Sequence, residues 1–89
     1  MKRWKLQYRD KARDQLKKLD QKTAERIARF LNDRVITAEN PRQLGLALQG
    51  RLRGYWRFRV GDYRILCDIQ DEVVIVLVLT IGHRKDIYE

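Results

Sequence analysis

The chain has 89 residues and a mass of 10.7 kDa, which is enough for one small domain and leaves no room for a second core. Its 44% hydrophobic content argues against wholesale disorder, and one cysteine with one histidine argues against a disulfide framework or a zinc centre. Twenty Lys and Arg residues against twelve Asp and Glu give a net charge of +8, and thirteen of those cations are arginine. A small protein this basic is expected to meet a polyanion: nucleic acid, an anionic membrane or an acidic protein.

The first predicted element is a strand in which Trp4, Leu6 and Tyr8 alternate with polar residues. No apolar signal region follows Met1, and the longest apolar run, residues 73–79, is far too short to span a membrane. We therefore expect a cytoplasmic, soluble protein with no membrane partner.

Two helices are predicted next. Asp10 can cap a first helix, and Asp20 can cap a second helix that runs from Gln21 to about Val35 with a clean apolar stripe. Because little chain lies between them, we expect an antiparallel helix hairpin.

Asn40 and Pro41 end the regular structure and open a connection to Gly50, with one helical turn expected around residues 44–48. Three strands are predicted after it, over residues 52–60, 63–69 and 73–81, and residues 83–89 form a polar tail of one or two helical turns. The strand predicted over residues 73–81 is apolar at both odd and even positions, which is typical of a central strand covered on both sides.

The order of elements predicts a single α+β domain over residues 1–89. It consists of an N-terminal strand, a two-helix hairpin, a three-stranded antiparallel meander in one mostly antiparallel sheet, and a short C-terminal segment. The helices are expected to cover one face of the sheet and to leave the other face to residues of the opposite parity.

The strand predicted over residues 52–60 carries the sharpest chemical signal. Five arginines and one acid between Arg51 and Arg64 give +4 in fourteen residues. Alternate positions share one face, so a row of guanidinium groups with an aromatic ring is expected there, and such a row suits phosphates and stacked bases. The alternative is a solvated edge strand whose charges deter aggregation. Arg64 on the neighbouring strand reaches the same face and favours function. The row consists of Arg53, Tyr55, Arg57 and Arg59.

Most nucleophilic chemistry is not available to this chain. It has no serine, and Cys67 shares parity with Ile65 and Ile69, which predicts a core residue. Arginine, lysine, tyrosine and one histidine suffice for one reaction, because RNA supplies its own 2′-hydroxyl as nucleophile. The protein then needs to align that hydroxyl, neutralise charge and move two protons, with no metal or cofactor. His83 and Tyr88 can transfer protons in this reaction. The alternative for His83 is a surface residue, and the alternative for Tyr88 is an aromatic residue that binds a partner.

Three stretches together resemble the RelE/ParE toxin superfamily, and the resemblance covers nearly the whole chain. Residues 48–50 read LQG, residues 54–65 read GYWRFRVGDYRI, and residues 82–88 read GHRKDIY. RelE-type members are toxins of toxin–antitoxin pairs that cleave mRNA in the ribosomal A site without a metal and leave a 2′,3′-cyclic phosphate. The resemblance implies a RelE-like fold, a ribosome partner and a cognate antitoxin with an acidic toxin-binding segment.

The resemblance also implies roles for particular residues. Arg64 matches a ligand of the phosphate in the transition state, and Tyr88 matches a residue that stacks on a base. RelE has lysines where this chain has Tyr55 and Arg57, so the proton-transfer group stays open among three candidates. The implied catalytic set is Arg57, Arg64, Arg84 and Tyr88; the proton-transfer candidates are Tyr55, His83 and Tyr88; further RNA-binding residues are expected at Arg51, Arg53, Arg59 and Lys85.

Two other functions stay open from the sequence. ParE-like members of the superfamily share the fold but inhibit DNA gyrase. A basic module that binds ribosomal RNA or DNA through its arginine strand without cutting it is the third hypothesis.

Overall fold

The computed structural model describes residues 3–83, in which two α-helices cover one face of a five-stranded mixed sheet. The strand order is β1-β5-β4-β3-β2, with β1 parallel to β5 and all other neighbours antiparallel. The predicted α+β class with a mostly antiparallel sheet is therefore confirmed. The strands are β1 (Lys5–Tyr8), β2 (Leu46–Ala47), β3 (Trp56–Val60), β4 (Tyr63–Gln70) and β5 (Ile75–His83); the helices are α1 (Asp10–Lys18) and α2 (Gln21–Phe30).

The second helix begins and extends as its sequence predicts. The Asp20 carboxylate accepts the backbone N–H of Thr23 at 3.1 Å and its hydroxyl at 2.6 Å, and these bonds lower the pKa of Asp20. The helical path continues to Val35 through one π-helical turn, Leu31–Val35. Asp10, in contrast, is not a cap: Arg9 holds that position, and Asp10 lies in the first turn, where its charge suits the helix dipole.

The main core lies between the helices and the sheet. Ile27, Leu31 and Val35 are fully buried against apolar residues of β3, β4 and β5, with Phe58 the largest of them. Cys67 is buried in the same cluster, and burial raises its pKa, so the prediction of a core cysteine is confirmed.

Both tryptophans pack against this core. Trp4 is buried, and its indole N–H donates to the Glu39 carbonyl at 3.4 Å. Trp56 is only half-buried, and the Arg42 guanidinium lies 5.9 Å from its ring centroid. Arg42 also forms an ion pair with Asp71, which ties the connection before β2 to the β4–β5 turn.

The connection before β3 differs from the prediction. The predicted strand over 52–60 begins only at Trp56, because residues 50–52 form a 3₁₀ turn and Gly50 and Gly54 have φ of 65° and 99°. The expected helical turn around residues 44–48 lies instead at Pro41–Leu44, and the two-residue strand β2, too short for an alternation signal, was not predicted. The loop over 48–55 covers part of the second sheet face, where Leu48, Leu66 and Leu79 form a smaller core.

The last strand lies two residues later than predicted. Residues 73 and 74 belong to the turn, Val74 has φ of 56°, and β5 runs from Ile75 to His83. A bulge opposite Leu66 and Cys67 shifts its register with β4. The expected helical turns after β5 lie outside the described residues. Among residues 3–83, no helix is long and apolar enough to cross a membrane.

We expect Gly45→Ala to lower the free energy of unfolding by about 1–3 kcal/mol, the usual cost of overpacking. A Cβ at this position would lie 2.9 Å from the Arg57 carbonyl oxygen and 3.0 Å from a ring carbon of Phe58. Urea unfolding of the purified protein measures the change. Gln43→Ala in the adjoining exposed turn is the control and should stay within about 0.5 kcal/mol of wild type. A Gly45 variant as stable as the control would contradict the close packing at β3.

Candidate nucleic-acid interface

The sheet face opposite the helices carries two neighbouring cross-strand rows at one end of β3, β4 and β5. Paired residues on antiparallel strands project from the same face, so each row forms a line of adjacent side chains. We call this surface the arginine face. Its first row is Arg57–Leu66–Thr80, and its second row is Arg59–Arg64–Gly82.

Three guanidinium groups crowd the arginine face, and no acidic residue stands in either row. Arg59 lies directly opposite Arg64, an arrangement of like charges that destabilises a sheet, and Arg57 is the diagonal neighbour of Arg64. The pKa of Arg57 is lowered, first by its burial and then by the charges of Arg64 and Arg59. The cluster therefore favours any anion that neutralises it.

Arg64 is held at the base of the β3–β4 hairpin rather than extended into solvent. Its Nη1 donates to the carbonyl oxygens of Gly61 and Tyr63, both at 3.2 Å. Gly61 turns the chain with φ of 58°. Arg64 and Arg57 are half-buried, whereas Arg59 is exposed. If the face only kept the protein soluble, all three guanidinium groups would be exposed to water. The partial burial of Arg57 and Arg64 therefore favours a binding surface.

Apolar side chains border the cations on the same face. Leu46 pairs with Arg57 from the edge strand β2 and is 53% exposed, and half-buried Tyr55 packs on the smaller core beside Leu66. Guanidinium groups flanked by apolar surface suit a ligand that combines phosphates with flat bases, such as single-stranded nucleic acid.

A second basic surface lies on the helix side of the sheet edge. Three arginines from α2 and its π-helical turn line a cleft of about 370 Å³ with Arg59, over a floor formed by Phe30 and Val60. Asp33 is the one acidic residue in that lining. The arginines from the helix are Arg26, Arg29 and Arg34.

The family model described as the ParE toxin of type II toxin–antitoxin systems matches residues 6–88. The chain belongs to this ParE/RelE toxin family. It is therefore the toxin of a type II toxin–antitoxin pair.

Known relatives agree with the family. Toxin RelG of Mycobacterium tuberculosis is 39% identical over 51 residues, which cover 57% of this chain and 59% of that relative. A chain in the crystal structure of the RelBE2 toxin–antitoxin complex of the same organism has a similar fold, with a TM-score of 0.85 and 28% identity. The similarity covers 93% of the present chain and 100% of the RelBE2 chain. The isolated Escherichia coli RelE toxin has a TM-score of 0.71 and 20% identity, and the similarity covers 90% of the present chain and 83% of RelE. At this identity the comparison supports the fold alone.

The toxin brings some of the predicted site residues together and separates others. Arg57, Arg59 and Arg64 lie on the arginine face, with Tyr55 on the same side of the sheet. His83 does not join them: it pairs with Tyr63, whose side chain packs toward the helices, and their ring centroids are 5.5 Å apart.

The remaining predicted residues lie away from the two rows. Arg51 is exposed on the 3₁₀ turn before β3, and Arg53, predicted on the strand, is exposed directly after that turn. Arg84, Lys85 and Tyr88 lie outside the described residues, so their roles stay predictions. No group of three or more His, Cys, Asp or Glu within residues 3–83 is arranged to hold a metal ion.

Sequence reasoning missed two features of the toxin's surface. Arg26 and Arg29 are spaced three apart on α2, which was a usable signal for a basic helix face. Thr80 is the single polar residue in the run of residues 75–81, and its place in the first row makes it part of the arginine face.

We expect Arg59→Gln to raise the stability of the free toxin by about 0.2–1 kcal/mol at low salt, because it removes the like charge opposite Arg64. Added salt should shrink the gain, since Arg59 is exposed and its charge is screened. Thermal unfolding at two salt concentrations measures both effects. Arg53→Gln, which removes an exposed cation outside the two rows, is the control. Equal shifts for both variants would mean that net charge, not the pair, sets the stability.

Proposed function

We propose that this toxin is a ribosome-dependent mRNA endonuclease that cuts in the A site and thereby inhibits translation. The observation that carries the proposal is the pair of half-buried guanidinium groups, Arg57 and Arg64, held as diagonal neighbours on one sheet face. Side chains of diagonal neighbours on one sheet face are within reach of each other, so these two cations can bind the two non-bridging oxygens of one phosphodiester.

In the proposed reaction the 2′-hydroxyl oxygen of one nucleotide attacks the adjacent phosphorus, and the bond from phosphorus to the 5′-oxygen of the next nucleotide breaks. The products are a 2′,3′-cyclic phosphate and a new 5′-hydroxyl end. Negative charge grows on the phosphoryl oxygens as the new bond forms, and Arg57 and Arg64 stabilise it there. No metal ion or cofactor enters this scheme.

Two protons move in this step: one leaves the 2′-hydroxyl and one reaches the departing 5′-oxygen. Tyr55 lies on the same sheet face as the arginines. Tyr88 and His83 stay candidates from the family resemblance, although His83 lies on the opposite face. Binding of the mRNA to the ribosome would supply the alignment that a small open face does not.

The charge distribution supports two macromolecular partners. A net charge of +8 and a second basic cleft beside Arg59 suit ribosomal RNA around the bound message. The same charge suits an acidic antitoxin, and several structural neighbours are complexes of a RelE toxin with a RelB antitoxin. We infer a cognate antitoxin that neutralises this toxin through an acidic segment, and action in the cytoplasm where ribosomes translate.

A ParE-like inhibitor of DNA gyrase is the second candidate. The description of the matching family model favours it. The arginine face favours the nuclease over the gyrase inhibitor. Its half-buried cations are clustered closely enough to bind one phosphate group, and inhibition of gyrase does not require such a site.

We expect brief induction of the toxin in bacteria to create new mRNA 5′ ends within translated codons, mapped by primer extension. Arg64→Ala should lower this cleavage at least about a hundredfold, the scale of losing one stabilising group at the developing charge. Arg13→Ala on exposed α1 removes the same charge far from the arginine face and should leave cleavage intact.

Intact mRNA in cells that stop growing would refute the nuclease. Loss of supercoiling activity by purified gyrase in the presence of the toxin would then support the ParE-like function. Binding to ribosomes without cleavage or gyrase inhibition would leave the non-catalytic module.

A further inference from the structure

On the arginine face, the Nε of Arg64 and the hydroxyl oxygen of Thr80 are buried and make no hydrogen bond to any residue in the range 3–83. Buried polar groups in folded proteins are nearly always paired, and leaving one unpaired costs stability. One of these atoms is a donor and the other can accept, so each lacks what the other supplies.

The two residues are close enough in the sheet to meet. Thr80 pairs with Leu66, and Arg64 lies two residues before Leu66 on β4, so Arg64 and Thr80 are diagonal neighbours on one face. Diagonal neighbours have Cα atoms about 7–8 Å apart, within reach of a long side chain. Between Tyr63 and Leu66 the β4–β5 register is regular, and the bulge begins only after it. Gly82, opposite Arg64, adds no side chain that would block the path.

In the observed arrangement Arg64 faces the other way. Its Nη1 is bound to the carbonyl oxygens of Gly61 and Tyr63 at the hairpin turn. The guanidinium group therefore has two alternative sets of acceptors: the turn carbonyls on one side and the Thr80 hydroxyl on the other.

We propose that Thr80 is a positioning residue for Arg64, whose guanidinium group leaves the turn carbonyls on anion binding and donates from Nε to the Thr80 hydroxyl. Nη1 and Nη2 then point at the phosphate oxygens, between the positions of Arg57 and Arg59. The ligand class is a phosphate monoester or diester, and the inference extends the proposed function to a residue outside the family resemblance. The neutral Thr80 hydroxyl orients the cation without competing with the anion for its charge.

The first test compares Thr80→Val, which removes the hydroxyl at nearly the same size, with Thr80→Ser, which retains it. A hydrogen bond to a charged group supports a loss of roughly tenfold to hundredfold in cleavage for Thr80→Val, with most of the activity restored in Thr80→Ser. The melting temperature of the free Thr80→Val protein should stay the same or rise, because an unpaired buried hydroxyl is removed. Thr37→Val, which removes a hydroxyl bound to the carbonyl of Asp33 in the π-helical turn after α2, is the control for cleavage.

A double-mutant cycle separates positioning from direct contact. Lysine has no Nε–H at the corresponding place, so in an Arg64→Lys background the change Thr80→Val should cause no further loss. Equal losses in both backgrounds would overturn the proposal, and so would a lower melting temperature of Thr80→Val together with failed rescue by serine.

A binding measurement keeps this inference separable from the proposed function. Titration of the wild-type toxin with inorganic phosphate, followed by NMR at the Arg64 Nε–Hε group, should shift that resonance and slow its exchange with water. Thr80→Val should abolish the slowed exchange, and Thr80→Ser should retain it. If wild type cuts no mRNA but shows this response, the nuclease proposal fails and the positioning role stands. If phosphate leaves the resonance unchanged, the positioning role is refuted whatever the cleavage assay gives.

Discussion

The structure depends on one constraint: three like charges must stay side by side on a sheet whose opposite face is the protein's core. Arg57, Arg59 and Arg64 repel one another, and nothing within their own rows neutralises them. They stay together because Phe58 and Ile65 alternate with them and are fully buried beneath the helices. A slip of one residue in the β3–β4 register would exchange the arginines with the core, so apolar burial fixes the charged cluster in place.

The second face is divided between packing and function. Away from the β3–β4 hairpin, the loop over residues 48–55 packs Leu48 and Tyr55 against Leu66 and Leu79 and forms the smaller core. Toward the β3–β4 hairpin the loop ends, and the described part of the chain leaves the face open around the second row, Arg59–Arg64–Gly82. The positive φ of Gly50 and Gly54 lets the chain fold over this half of the face and then enter β3. One short loop therefore decides where a ligand reaches the sheet.

Alternation in the sequence was enough to predict most of this architecture but not its details. In β3 and β4 every second residue is apolar, so both faces and the arginine row followed from period two. In β5 both parities are apolar, and the bulge opposite Leu66 and Cys67 shifts parity within the strand, so the face of His83 is set only by its pairing with Tyr63. Arg53 was misplaced on the strand because glycine turns interrupt the alternation before Trp56.

Members of this family share one architecture, so activity has to be argued from side chains rather than from the fold. Burying parts of Arg57 and Arg64 next to each other lowers stability, and a surface that only had to stay soluble would gain nothing from it. The cost is offset when an anion of phosphate size binds, because it neutralises the cluster. Binding alone breaks no bond, however. The step from anion binding to strand cleavage requires proton transfer, and Tyr55 is the one candidate that the described part of the chain places on the arginine side of the sheet.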